Sequence, residues 1–417
     1  MAVTIRDIRA ILTCPGQVNL VAVKVETSEP GLYGVGCATF TQRAKAVVTA
    51  VDEYLKPLLI GRNVNEIEEI WQLAYGHSYW RNGPVLNNAL SGVDEALWDI
   101  KGKMAGMPVY ELFGGKVRKG VAAYCHCDGN SKEEVLEHLQ GYMEQGYRYV
   151  RVQQGAYGGM MNGGTMKNGA GPLIDPDTIR FFHVPEGAPQ GAYFDPKRYM
   201  RKTLEMMDYL RNKAGFEIEL VHDVHERLAP IDAVAFAKEM EQYRLFFLED
   251  ILSPEQISWF RMVREQCATP LAMGELFNNV NEWMPLIEGR LIDFLRMHLS
   301  QIGGLTPAKK LAGAAELFGL RTAWHGPNDI TPVGVAAQLH LDLASPAFGI
   351  QEFAGFTENE KAVFPGCPEF RDGYLYVNEA PGLGVDIDEE AAAAFPYKVY
   401  DDAWLFSRLP DGTSVRS

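Results

Sequence analysis

Three carboxylates standing at equal intervals constrain this chain more than any other feature. Asp223, Glu249 and Glu275 are 26 residues apart, and they close the short apolar runs LVHD, LFFLE and LAMGE. A helix-like segment follows each run. About 26 residues is a sensible length for one strand–helix unit, so equal intervals put equivalent strand ends side by side. In a (β/α)8 barrel such ends converge on one mouth, where active sites lie. Three carboxylates gathered there repel one another and take up protons unless a cation balances them. Ligation by oxygen alone points to Mg2+ rather than zinc. A single acid at a strand end is ordinarily a helix cap or a solvated loop residue, but three at one spacing are hard to obtain that way.

The alternation extends well beyond these units. Apolar, β-prone runs at 121–127, 149–153, 217–223, 244–249, 270–275, 292–297, 321–325 and 348–353 predict eight strands. Helices are expected between them, among them 132–145, 196–214, 231–243, 254–266 and 307–318. Before the alternation, 18–27 and 32–40 form a hairpin by composition, and helical segments follow at 41–60, 64–75 and 85–104. After 353 the pattern stops, and DGYLYVNEAPGLGVDID reads as a short hairpin with a turn-rich return. The expected fold is α/β: a (β/α)8-type, TIM-like barrel, possible also as the modified (β/α)7β form. Its domains are an α+β capping domain (1–118), the barrel (119–360) and a tail (361–417) that packs back on the cap.

A chain of 417 residues is ample for that plan. Its net charge of −15 argues against nucleic acid or an anionic membrane as partner. An anionic small-molecule substrate stays open, because a metal reverses the local field. The six cysteines show no disulfide framework, and Cys125 and Cys127 read as buried packing. No run is long enough to span a bilayer, and charges in MAVTIRDIRA break any signal-peptide core, so a cytoplasmic protein is expected.

Strand parity sharpens the chemistry. Asp223 and His225 are two apart and share a face, whereas His222 points away toward the helices. A histidine beside a metal-ligating aspartate is well placed as a general acid or base. The second strand offers Arg151 and Gln153 on one face, with Tyr157 shortly after. An arginine near a tyrosine favours the phenolate and makes it a usable base. Arg296 could hold a carboxylate, and His325, Asp329 and Glu352 lie at or just past successive strand ends. Residues 154–196 hold no long periodic segment, only a tract rich in Gly, Met and Asn, and are expected to cover the substrate.

These stretches together resemble the enolase superfamily, and within it the mannonate dehydratase-like acid-sugar dehydratases. The likeness is carried by GLYGVGCATF, RNGP and GVDEALWDIKGKMAGMPVYELFGG in the first domain. HDVHERL, RLFFLED, PLAMGE, IDFLR, QIGGLT and WHGPNDITP carry it in the barrel, and APGLGVDIDE in the tail. The resemblance implies Asp223, Glu249 and Glu275 as Mg2+ ligands and His225 as acid/base. It also implies substrate contacts by His126, Arg296, His325, Asp329 and Glu352, and a symmetric homo-oligomer. The implied chemistry removes the proton α to a carboxylate and then the β-hydroxyl, leaving a 2-keto-3-deoxy acid. D-mannonate or a D-gluconate-like aldonic acid is the expected substrate.

Two positions depart from the pattern. The group's catalytic tyrosine follows the strand-two arginine by twelve residues, where this chain has Gly163; Tyr157, six residues after Arg151, is the nearest substitute. Thr41 stands where the group's first-domain motif ends in asparagine. His325 is the other candidate base. A racemase or epimerase of the same superfamily, or a starvation-sensing-like protein that binds acid sugars with little turnover, are the alternatives.

Overall fold

A computed structural model describes residues 2–155, 185–187, 192–399 and 407–415. Tyr157 and most of the tract expected to cover the substrate lie outside the described residues.

Three antiparallel strands open the chain: β1 (Ile5–Thr13), β2 (Leu20–Thr27) and β3 (Tyr33–Cys37). β1 is an addition to the expected hairpin. Its half-buried pattern carries charges that mask the alternation. The 22-residue helix Pro84–Ala105 lies on this sheet, with Val93, Ala96, Leu97 and Ile100 buried in the shared core. Helix and strand backbones approach so closely that a Cβ on Gly34 would overlap the Ala96 carbonyl, and one on Gly36 that of Gly92. The glycines of GLYGVGCATF are thereby fixed by packing.

The helix expected over 41–60 is present in broken form. A 3-10 turn (Thr41–Arg43) leads into short α segments around a π-helical stretch, Ala50–Leu55.

The barrel strands are β4 (Val121–Gly129), β5 (Tyr149–Gln154), β7 (Glu219–Asp223), β8 (Phe247–Glu249), β9 (Leu271–Met273), β10 (Phe294–His298), β11 (Arg321–His325) and β12 (Phe348–Glu352). A two-residue strand, β6 (Ala192–Tyr193), lies outside this set. The eight strands pair in chain order, and β12 pairs with β4 to close a parallel barrel. β13 (Glu369–Arg371) and β14 (Tyr374–Tyr376) extend the sheet as the expected tail hairpin. Its turn is Asp372-Gly373, with φ of +49° and +84°, the left-handed pair such a turn demands.

By packing, the chain divides into two units: Met1–Ala123 with Gly274–Ile287 and Leu295–Tyr400, and Tyr124–Met273 with Glu288–Phe294 and Asp401–Ser417. Within the first, the long helix is tied to the segments after β9 and β10. Asn87 Nδ2 donates to the carbonyls of Asn278 (2.6 Å) and Gln301 (2.8 Å), and Asn88 Nδ2 donates to Gln301 Oε1 (3.0 Å). Trp71 Nε1 donates to Gly303 O at 2.8 Å. The tail is tied to the first strands by reciprocal bonds between Asn19 and Lys398, by Thr13 Oγ1 donating to Ala392 O, and by Tyr33 donating to Asp386. Among the described residues no helix is long and apolar enough to cross a membrane.

Candidate active site

In the second unit, β7 and β8 end on acids. Asp223 and Glu249 are partners in the parallel register, both are buried, and their nearest oxygens lie within 4.8 Å. Arg151, itself buried on β5, places Nη1 3.2 Å from Asp223 Oδ2. His126 on β4 is the register partner of Arg151 and is half-buried. Cys125 and Cys127 flank it as buried thiols, both raised by burial.

The backbone turns sharply past Asp223. His225 and Glu226 take φ of +54° and +61°, consecutive non-glycine residues in the left-handed region. Such conformations persist only where surrounding bonds hold them. Here the His225 N–H donates to Asp223 Oδ1 (2.7 Å), the Glu226 N–H to Asp250 O (2.7 Å) and the Val224 N–H to Glu249 O (3.0 Å). The strand stops at Asp223, so parity does not orient His225; the left-handed turn does. His222 faces the helices as expected. Its Nδ1 bonds Val152 O at 2.8 Å and its Nε2 the Tyr199 hydroxyl at 2.7 Å, and burial lowers the imidazole to about 4.

In the first unit, Glu275 follows β9 by two residues, across Gly274. His325, last in β11, sets Nε2 3.3 Å from Glu275 Oε1 and Nδ1 3.9 Å from Asp329 Oδ1. Burial opposes its charge, but Glu275, Asp329 and Glu352 outweigh burial and push the imidazole up to about 9. Arg296 holds Glu352: Nη2 donates to Oε2 at 2.6 Å, and both side chains are buried. The Gly326 N–H adds a second bond to that oxygen at 3.0 Å. Thr41 is buried, its hydroxyl donating to Asn19 O at 3.0 Å.

One residue of this group escaped the sequence reading. β10 runs on to His298, which stands two residues past Arg296 and therefore on the same strand face. Its ring lies 5.0 Å from that of His325, and burial lowers it to about 3. The parity applied to Asp223 would have found it had the strand not been ended at 297.

Comparison with known proteins decides the family. Residues 2–114 match the mandelate racemase / muconate lactonizing enzyme N-terminal domain, and residues 134–391 the family described as enolase C-terminal domain-like. A D-galactonate dehydratase family member of Enterocloster bolteae is 57% identical over 99% of both chains. The chain belongs to the D-galactonate dehydratase family of the enolase superfamily. A member from Pantoea ananatis is 55% identical over 99% of both chains. The crystal structure of an enolase from that organism, with bound D-gluconate and Mg, superposes with a TM-score of 0.94 at 53% identity over the whole of both chains. A putative dehydratase from Zymomonas mobilis gives 0.79 at 26% identity over 95% of this chain and 99% of its own. The family's name replaces the looser mannonate label drawn from the motifs, while the superfamily stands.

Proposed function

We propose that this D-galactonate dehydratase family member is a hydro-lyase that dehydrates an aldonic acid of the D-gluconate or D-mannonate type. The observation carrying this reading is the register pair Asp223–Glu249, buried, with His225 pinned to the first acid by a strained turn. Glu275, just past the next strand, would complete a ligand set of three carboxylates. Their chemistry fits Mg2+: hard oxygen donors whose three negative charges exceed the Arg151 guanidinium at Asp223 and the raised His325 imidazole at Glu275. When bound, the ion supplies Lewis-acid stabilisation of charge developing on the substrate carboxylate, on the order of several kcal/mol. D-gluconate and Mg in the Pantoea ananatis structure support both assignments.

The chain's own residues then divide the work. A base, Tyr157 or the neutral form of His325, takes the proton from the carbon α to the carboxylate, and the electron pair moves toward that carboxylate. Arg151 favours the phenolate if Tyr157 serves. The bond from the β-carbon to its hydroxyl breaks, and His225 gives the proton with which the hydroxyl leaves as water, since hydroxide alone is a poor leaving group. The resulting enol gives up its hydroxyl proton to solvent, takes a solvent proton at the β-carbon and becomes a 2-keto-3-deoxy acid. His126, Thr41, Asp329 and the Arg296–Glu352 pair are assigned to holding the substrate.

The test is a panel of aldonic and aldaric acids with Mg2+ or EDTA, read as 2-keto acid trapped by semicarbazide. Mg2+-dependent product from an aldonic acid is the expected result. Binding without product would favour the acid-sugar-binding alternative, and an inverted stereocentre without keto acid the racemase.

A further inference from the structure

Neither ring nitrogen of His298 has a hydrogen-bond partner among the described residues, although the side chain is only 2% exposed. The same is true of His325 Nδ1 and Asp329 Oδ1. Leaving a buried polar atom unpaired costs about 1–3 kcal/mol, so several at one place call for a missing partner. These atoms surround one point. His298 Nε2 lies 4.0 Å and His325 Nδ1 3.9 Å from Asp329 Oδ1, and ligand atoms of the three residues all fall within 4.8 Å of one another.

The spacing bears on what the missing partner is. Atoms bound at about 2.1 Å to one metal ion in tetrahedral array stand about 3.4 Å apart. Atoms hydrogen-bonded at about 2.7–2.8 Å to one oxygen, opening by 90–110°, stand about 3.8–4.6 Å apart. The two separations from Asp329 Oδ1 exceed the first value and fall within the second range. Two imidazoles that can donate, and a carboxylate that accepts, also match a hydroxyl, which both accepts and donates.

We propose that His298, with His325 and Asp329, forms a receptor for one hydroxyl of the acid-sugar substrate, making His298 a specificity-determining residue. The inference rests on the acid-sugar reading above. His298 contributes no bond-breaking step; it selects which carbon must carry a hydroxyl, and in which configuration.

The experiment compares D-gluconate with its 4-deoxy, 5-deoxy and 6-deoxy counterparts in the full-length wild type, His298→Leu and His298→Gln. The readout is kcat/KM, or Kd by calorimetry where turnover is absent. In the wild type, one deoxy compound is expected to be poorer than D-gluconate by about 10–100-fold, as when a site built for a hydroxyl meets an analogue lacking it. His298→Leu abolishes discrimination at that one carbon, mainly through KM, and leaves the other two ratios unchanged. His298→Gln, whose amide reaches close to the position of Nε2, restores part of it; matching melting curves confirm folding. Equal losses on all four compounds, or unchanged ratios, overturn the proposal. So does micromolar inhibition of the wild type by Zn2+ that His298→Leu relieves, which would make the cluster a metal site. A wild type that neither binds nor turns over any aldonic acid removes the acid-sugar reading itself, an outcome distinct from turnover with unaltered ratios.

Discussion

Gly274 sits between β9 and Glu275 with φ of +128°, and a Cβ there would overlap the indole of Trp283. Nothing in PLAMGE announces this, because the constraint comes from a side chain nine residues downstream. Gly274→Ala is therefore expected to destabilise by about 2–4 kcal/mol. Gly313→Ala, in the open face of the helix Leu305–Phe318, should be neutral or stabilising by up to about 1 kcal/mol. Denaturant titration of the two variants checks the contrast. His222 and His340 belong to the same scale. His340 accepts from the Tyr110 N–H (3.2 Å), bonds Leu383 O (3.1 Å), and is lowered to about 4 by burial. The unfolded chain, with histidines near 6.5, binds more protons than the native one between about pH 4 and 6.5. Stability from each neutral imidazole is thus full above that window and lost as pH falls through it. From pH 7 to 5 each should withdraw about 2 kcal/mol. His340→Gln should flatten that part of the urea-midpoint profile; an unchanged slope would contradict the assignment.

Among elements, strand identity was legible and strand ends were not. The run 270–275 predicted one strand through Glu275, whereas β9 stops at Met273, because the glycine turn begins there. The run 217–223 was placed correctly at its end, Asp223, though β7 begins at Glu219, and extending its parity to His225 ignored the left-handed turn that aims that residue. Such turns depend on bonds from neighbouring strands, which no local pattern carries. The helix Leu305–Phe318 gives an element-scale prediction. Asp94, from the long helix of the first domain, accepts from Thr306 N (2.9 Å) and Thr306 Oγ1 (2.5 Å) at its first turn. Burial pushes that carboxyl up to about 7. Removing the acceptor leaves the N–H and hydroxyl unpaired, so Asp94→Ala should cost about 2 kcal/mol, and Asp94→Asn less than about 1. Thermal unfolding distinguishes the two; equal effects would mean that the contact is packing alone.

For the whole molecule, periodicity was enough to count eight strands, because a closed parallel barrel repeats one strand–helix unit whose apolar runs recur with it. The interlock of the first domain with the segment after β10 was not legible, since Asn87 and Trp71 bond to backbone, and Asn88 to the Gln301 side chain, whose positions depend on the finished fold. Proton abstraction followed by loss of a hydroxyl is the central claim for the molecule. The measurement that meets it most directly is the reaction of D-gluconate with Mg2+ in D2O, followed by NMR for wild type and Glu249→Gln. The wild type is expected to form a 2-keto-3-deoxy acid carrying one solvent deuteron at C3, with turnover lost in Glu249→Gln. Recovery of D-gluconate deuterated or inverted at C2 with no keto acid, or a fully active Glu249→Gln, would contradict it.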